Sequence, residues 1–418
     1  MLLDVPEVVA HGTHDFAPED FVTDEATLKA PARRIRPDRA DIERAAKLIA
    51  KAKRPLLLTG GGIHLSEAWE ALTRFAEAQS VPVAHTMSGK GGIACSNPLN
   101  VGLFGRYSRI ANELIDASDC LLVIGCKLGE IATKRYALPP ETTPLIHLDI
   151  LAEEIGRCRP ANVALWGDAK AGIEDLSEAL ADDARRARTA RLDYVAEIPT
   201  RMAVWQEEAG PRLNSAERPI HMARLCRELN AVLPADSILV ADGGFAGHWT
   251  GLLYETKSPG RHFIPDRGLA SIGYGLPGGI GAALAAPTMP VVAITGDGGF
   301  NMMLGELETA RRAGIGLTIV VVNNAASGYV KALQHAMFRG RYQSSDLVEM
   351  DYAAIARAMG CNGIRVEDPD QLVAGLRTGL DERARPTVLD VVVTRDPSRM
   401  LPAVDNRTVE IKQGDRVA

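Results

Sequence analysis

The chain has 418 residues, 46% hydrophobic and 24% charged, with a net charge of −6 and a pI of about 5.9. That is the composition of a soluble globular protein of two or three domains, and it favours neither nucleic acid nor an anionic membrane as partner. The longest apolar runs fall short of a membrane span, no leader pattern opens the chain, and the six cysteines (Cys95, Cys120, Cys126, Cys158, Cys226, Cys361) contain no C-x-x-C. Buried thiols in a cytoplasmic protein are therefore expected, rather than disulfides or zinc.

Met1–Pro6 reads as a strand, either a lone edge strand or the last strand of a domain absent from the sequence, and a polar connector follows to residue 39. Residues 40–185 alternate helix and strand. A helix over Asp41–Lys53 carries Ile42, Ala45, Ala46 and Ile49 on one face, and Leu56–Leu58 leads into Thr59-Gly60-Gly61-Gly62. Ser66 is placed to cap a helix bearing Trp69, Leu72, Phe75 and Ala76. Val81–His85, Cys120–Ile124 and Leu145–Asp149 are expected strands, with helices over Arg109–Ala117 and Lys170–Leu180, the pattern of a doubly wound α/β domain. The triple glycine is not G-x-G-x-x-G, so it reads either as a tight strand-to-helix turn or as a weak dinucleotide signal; Asp149 could hold a ribose hydroxyl or simply end a strand.

Residues 186–214 read as a charged helical linker with a solvated basic face around Ala184–Arg188, and residues 215–400 as a second α/β domain. In it the helix Ile220–Val232 precedes the strand Ser237–Ala241, which ends in Asp242-Gly243-Gly244. Gly268–Pro277 then leads into a small-residue helix, Gly278–Ala286. Next, the strand Val291–Thr295 runs into Gly296-Asp297-Gly298-Gly299-Phe300-Asn301, a helical stretch carries Met303, Leu304, Leu307 and Ala310, and Leu317–Val322 delivers Asn323-Asn324. This β-α-β unit puts oxygen ligands at the carboxyl ends of two strands, where parallel sheets bind phosphates. Asp297, the Asn324 amide oxygen and a carbonyl just beyond, that of Ala326, suit the hard-oxygen shell of Mg²⁺. The plainer alternative is a turn whose aspartate caps a helix. Tyr352–Met359, Gly363–Val366, Asp370–Leu380 and Thr387–Thr394 complete the domain, and 401–418 is a tail.

With Gly296–Asn301, Asn323-Asn324 and Gly268–Pro277 in hand, the chain resembles the thiamine-diphosphate enzymes of the acetolactate synthase and pyruvate decarboxylase superfamily, acetolactate synthase large subunits most of all. Thr86–Gly91 and Gly102–Gly105 match that family's central domain. The resemblance implies an α/β fold of two doubly wound parallel-sheet domains, with thiamine diphosphate and Mg²⁺ as cofactors. It makes Asp297, Asn324 and the Ala326 carbonyl the metal ligands. Gly244, Phe245, Ala246, Gly296, Gly298 and Gly299 would line the diphosphate, and Gly268 and Ala270 the aminopyrimidine. Ile272 would lie under the bent cofactor, unless it is plain core packing, and Ser327, Gly328 and Tyr329 would face the substrate.

The implied reaction is decarboxylation of a 2-oxo acid and transfer of the product to a second carbonyl or a proton, pyruvate to acetolactate being the leading case. Glyoxylate carboligase, oxalyl-CoA decarboxylase and sulfoacetaldehyde acetyltransferase relatives share such a site. The family's pyrimidine-binding domain, with its activating glutamate, precedes the part matched here, so no catalytic residue carries over. That implies weak cofactor binding and no turnover by the isolated chain, or a non-catalytic binding or assembly module. It also implies a homo-oligomer (dimer or tetramer) or a separate pyrimidine-binding chain as partner. Leu333 replaces a tryptophan of members that prefer larger acceptors. Asp149-Ile150-Leu151 lacks the second acid of the flavin-binding members, which leaves FAD open.

Overall fold

In a computed structural model the protein is described over residues 2–21, 24–28 and 30–402, so Met1 and most of the expected tail lie outside the described residues. The described residues form two compact units, divided in sequence between Arg34 and Ile35. The first holds a one-turn helix, Glu7–Ala10, and two 3₁₀ turns, Pro18–Phe21 and Glu25–Leu28, none with a buried residue. The expected strand at Met1–Pro6 is absent over residues 2–6, which are exposed and pair with no strand among the described residues. A strand is stable only when another backbone takes its hydrogen bonds, and apolar alternation alone does not supply one.

The second unit contains two six-stranded sheets, parallel throughout. The first comprises β1 (Pro55–Thr59), β2 (Val83–His85), β3 (Asn100–Leu103), β4 (Cys120–Ile124), β5 (Leu145–Asp149) and β6 (Val163–Trp166), in the order β3-β2-β1-β4-β5-β6. The second comprises β7 (Ile238–Ala241), β8 (Phe263–Pro265), β9 (Val291–Gly296), β10 (Thr318–Asn323), β11 (Asn362–Val366) and β12 (Thr387–Val392), in the order β11-β12-β10-β9-β7-β8. The central strands are apolar at consecutive positions because helices cover both faces: every residue of β1, β4 and β10 is buried. This is the expected pair of doubly wound sheets. The short strands β3, β6 and β8 were not anticipated.

The crossover helices bury one stripe each. Arg39–Lys51 packs Ile42, Ala45, Ala46 and Ile49 inward and is capped by the Asp38 carboxylate, which accepts from the Ala40 N–H at 2.8 Å. Ser66 does not cap its helix. Its hydroxyl donates to Asp168 Oδ2 at 2.7 Å and accepts from the Lys170 N–H at 2.9 Å, joining another crossover helix. The expected helix through Met303 and Ala310 is two, Asp297–Met303 and Glu306–Arg312, separated at Leu304-Gly305. The linker is helical, over Ala184–Ala190 and Leu192–Leu213. Between those helices Arg191 is buried, donating to the Ile49, Ala52 and Gln79 carbonyls at the ends of two crossover helices.

The two sheets share one continuous core. Central-domain cations also fasten the helix Phe245–Leu253 of the second sheet: Lys90 Nζ donates to the Gly251 carbonyl at 2.7 Å, and Arg109 to the Leu252 and Leu253 carbonyls. Each cation therefore completes a helix carboxyl end and fixes where that helix's amino end, Phe245, points.

Candidate functional site

At the second sheet the strand order reverses beside β7, and the carboxyl ends of β7, β9 and β10 open a crevice. Each strand delivers a polar residue there: Asp242 after β7, Asp297 after β9 and Asn324 after β10. All three are buried, between 1% and 3% exposed. They line one 60 Å³ cavity together with Gly243, Gly244, Phe245, Ile272, Gly296, Gly298, Gly299, Val322, Ala326, Ser327, Gly328 and Tyr329. That volume has room for a metal ion with a few oxygens around it, since about 10–15 Å³ of such cavity space holds one water.

The side chains are held before any ligand arrives. Asp297 Oδ1 accepts from the Gly298 N–H at 2.8 Å and Oδ2 from the Asn324 N–H at 3.1 Å, and Asn324 Oδ1 accepts from the Ala326 N–H at 3.2 Å. Burial pushes the Asp297 carboxyl up to about 6, while the N–H groups of Gly298, Ala325, Ala326 and Asn324 pull it back down. A buried carboxylate facing an amide oxygen is the charge arrangement a hard cation completes. The two asparagines separate in role: Asn323 donates to Asp390 and to the Met350 carbonyl, so it braces β10 against β12.

Three of the glycines lining the cavity leave room, whereas Gly243, Gly299 and Gly328 are closely backed by neighbouring atoms. A Cβ on Gly296 would meet nothing within 4 Å, one on Gly298 only Leu347 Cδ1 at 3.5 Å, and one on Gly244 (φ +64°) only Tyr329 and Ile272 at 3.9–4.0 Å. This is the cradle a diphosphate requires, backbone approachable from outside with no side chain in the way. Ile272 is 45% exposed at the edge of this cavity, which excludes plain core packing. Among the expected site residues, Ala246 is buried within its helix and does not line the cavity; Gly268 and Ala270 line a neighbouring cleft of 710 Å³ instead. Leu333 lies on the helix Gly328–Met337, partly buried.

Two family models match the chain: the C-terminal TPP binding domain of thiamine pyrophosphate enzymes over residues 242–391, and the central domain of the same enzymes over residues 42–176. The chain belongs to the thiamine pyrophosphate enzymes. It is similar to a probable acetolactate synthase large subunit of Methanocaldococcus jannaschii, 33% identical over 90% of this chain and 64% of that protein. It is also 30% identical to the acetolactate synthase isozyme 2 large subunit of Escherichia coli K12, over 91% of this chain and 66% of that protein. The chain thus spans less than two thirds of the length of these relatives.

Within this thiamine pyrophosphate enzyme the residue that sequence reasoning passed over is Asp242. Its carboxylate accepts from the N–H groups of Gly243 and Gly273 and from the Thr295 hydroxyl at 2.5 Å, tying the Gly268–Pro277 loop to β7 and β9. The signal was available: Asp-Gly-Gly after a strand repeats the arrangement at Asp297. No helix among the described residues is long and apolar enough to cross a membrane.

Proposed function

We propose that this chain binds Mg²⁺–thiamine diphosphate and belongs to a 2-oxo acid decarboxylase/carboligase of the acetolactate-synthase type, with pyruvate to acetolactate as the reference reaction. The observation that carries the reading is the convergence of Asp297, Asn324 and Ala326 on one cavity beneath glycines that face open space. Asp297, Asn324 Oδ1 and the Ala326 carbonyl hold the metal, and backbone groups of Gly244, Phe245, Gly296, Gly298 and Gly299, but not the buried Ala246, take the diphosphate. Ile272 supports the cofactor from below, Gly268 and Ala270 border its aminopyrimidine, and Ser327, Gly328 and Tyr329 border the substrate. Bound thiamine diphosphate supplies the electron sink that lets a 2-oxo acid lose CO₂. The protein's part is to orient the reacting groups and exclude water.

The carboxylates lining the cavity are Asp242 and Asp297, the first occupied by three donor groups and the second committed to the metal, and the cleft that Gly268 and Ala270 line adds Glu130, which faces Arg106 and Arg135 at 3.9 Å. We therefore infer that the acid activating the aminopyrimidine comes from outside the described residues, from a further domain or a neighbouring subunit of a dimer or tetramer in the cytoplasm. FAD is left out of the reading, because Asp149 is buried with Oδ1 taken by the Leu151 N–H, and Ile150 and Leu151 that follow are apolar.

Calorimetric titration of the 418-residue chain tests this. Thiamine diphosphate is expected to bind weakly with Mg²⁺ and to lose that binding in excess chelator, and pyruvate turnover by this chain alone is expected to be at least about 100-fold below that of an intact relative. No binding with Mg²⁺ present would overturn the cofactor assignment; turnover equal to the relative's would overturn the external acid.

A further inference from the structure

Between the cofactor cavity and the neighbouring cleft lies a cluster of polar side chains that the proposed reading does not use. Arg106, Tyr107 and His248 are 5%, 4% and 3% exposed. Arg106 Nη1 donates to the Tyr329 hydroxyl at 2.7 Å, and its other terminal nitrogen is 3.9 Å from Glu130. The His248 ring stacks on Tyr329 at 5.0 Å and meets the edge of Tyr107 at 5.1 Å. Arg267 reaches the same place, with Nη2 2.6 Å from Met87 Sδ.

Three atoms of this cluster have no hydrogen-bond partner although they are buried: Tyr107 OH, His248 Nδ1 and Arg267 Nε. An unmet buried donor costs roughly 1–3 kcal/mol, more when charged, and native proteins keep few of them. Two of the three, Tyr107 OH and Arg267 Nε, are donors, and with two guanidinium groups beside a 710 Å³ cleft that Arg106, Tyr107 and Arg267 line they call for an anionic partner; Asp266, next to Arg267 in sequence, makes no ion pair with it among the described residues and has its own Oδ2 unpartnered. Arg267 makes no ion pair among the described residues, and a thioether is a weak acceptor for it. The contrast with Lys90 and Arg109 is direct, since Lys90 donates to carbonyls and Arg109 to two carbonyls and the Glu255 carboxylate.

We propose that Arg267, Arg106 and Tyr107, with His248 packed behind them, form a receptor for a carboxylate that the substrate keeps through the reaction. The proposal rests on the thiamine-diphosphate reading and extends its substrates to 2-oxo acids with a second carboxylate, pyruvate remaining the reference for the type of reaction. A retained carboxylate fits better than the one lost as CO₂. Cations holding the departing group would stabilise the ground state more than a transition state in which that charge is dispersing, and so would slow the reaction. Guanidinium forks match a carboxylate in two-point contact, and a tyrosine hydroxyl adds a further donor.

The test is calorimetry on the whole chain with 2-oxoglutarate and 2-oxopentanoate, which differ only in the terminal carboxylate. The dicarboxylate is expected to bind about 30-fold more tightly, R267Q to remove most of that preference, and Y107F to remove about 3-fold of it, with Mg²⁺–thiamine diphosphate affinity unchanged in both variants. If R267Q does not fold, Y107F alone carries the test. Equal binding of the two acids, an unchanged preference in a folded R267Q (or in Y107F if R267Q does not fold), or displacement of 2-oxoglutarate by ADP, which would make the cluster a nucleotide-phosphate site, would each overturn the receptor. A dicarboxylate preference in a chain that fails to bind Mg²⁺–thiamine diphosphate would leave the receptor standing and sink the cofactor reading instead.

Discussion

Gly60 and Gly62 follow β1 in the first sheet; Gly296 and Gly298 flank the end of β9 in the second. Both pairs form strand–glycine–helix turns at the carboxyl end of a parallel sheet, and in the sequence they look alike. A Cβ on Gly60 would sit 2.2 Å from the Gly125 carbonyl oxygen, and one on Gly62 2.6 Å from Gly125 Cα. A Cβ on Gly296 would meet nothing within 4 Å. The first pair is glycine because another stretch of backbone occupies the side-chain position, the second because that position is left open. In the short helix after the first turn His64 has both ring nitrogens bonded. The first turn is closed upon itself, and the second opens on the cavity that Asp297 and Asn324 line.

The sharpest way to break this contrast is Asp297→Ala. If Asp297 serves a metal, the variant loses roughly 1,000-fold in Mg²⁺–thiamine diphosphate affinity, ~4 kcal/mol. Its melting temperature should hold or rise, because a buried carboxyl raised to about 6 is relieved. Titration calorimetry beside a thermal melt reads both. A collapse in melting temperature with affinity intact would make Asp297 a helix cap after all.

Gly60→Ala should do the reverse, costing about 3 kcal/mol of stability as β1 and β4 are forced apart. Gly296→Ala, into open space, should cost under about 1 kcal/mol. Chemical denaturation of the pair gives the comparison in one experiment, and equal losses would mean that both turns are structural.

Much of this was legible in the sequence, for reasons that differ by element. β4 and β5 match their expected limits to the residue; for β4 the reason is a consecutive apolar run held between Asp119 and Gly125, while β5 is bounded by Pro144 at its start. Asn100-Val-Gly-Leu103, in β3, has no such run, and its pairing is decided by β2 beside it. Residues 2–6 have a strand's composition without a neighbouring strand. The convergence of Asp297 and Asn324, the ligands proposed for the metal, could be expected because a β-α-β unit places them together by rule. Nothing in sequence spacing joins Arg106-Tyr107, His248, Arg267 and Tyr329, which come from four separate segments brought together only when the two sheets pack.

The smallest effect tests the closed turn. His64 accepts from the Trp69 indole N–H at 2.8 Å through Nδ1, and its Nε2 lies 2.9 Å from the Lys90 carbonyl, so the neutral ring with a proton on Nε2 satisfies both partners. A second proton would have to go on Nδ1, against the indole donor. Burial is the main cause that lowers the His64 pKa from 6.5 to about 4. Between those values the unfolded chain binds a proton that the folded chain refuses, so stability falls as pH drops through this window and is unaffected above it. At pH 5.5 the His64 share should be on the order of 1 kcal/mol. His64→Gln keeps a donor and an acceptor but does not titrate, so its urea midpoint should fall less steeply than that of the unaltered chain between pH 6.5 and 5. Parallel curves would show that His64 titrates freely in the folded state, and that the closed turn is looser than its hydrogen bonds imply.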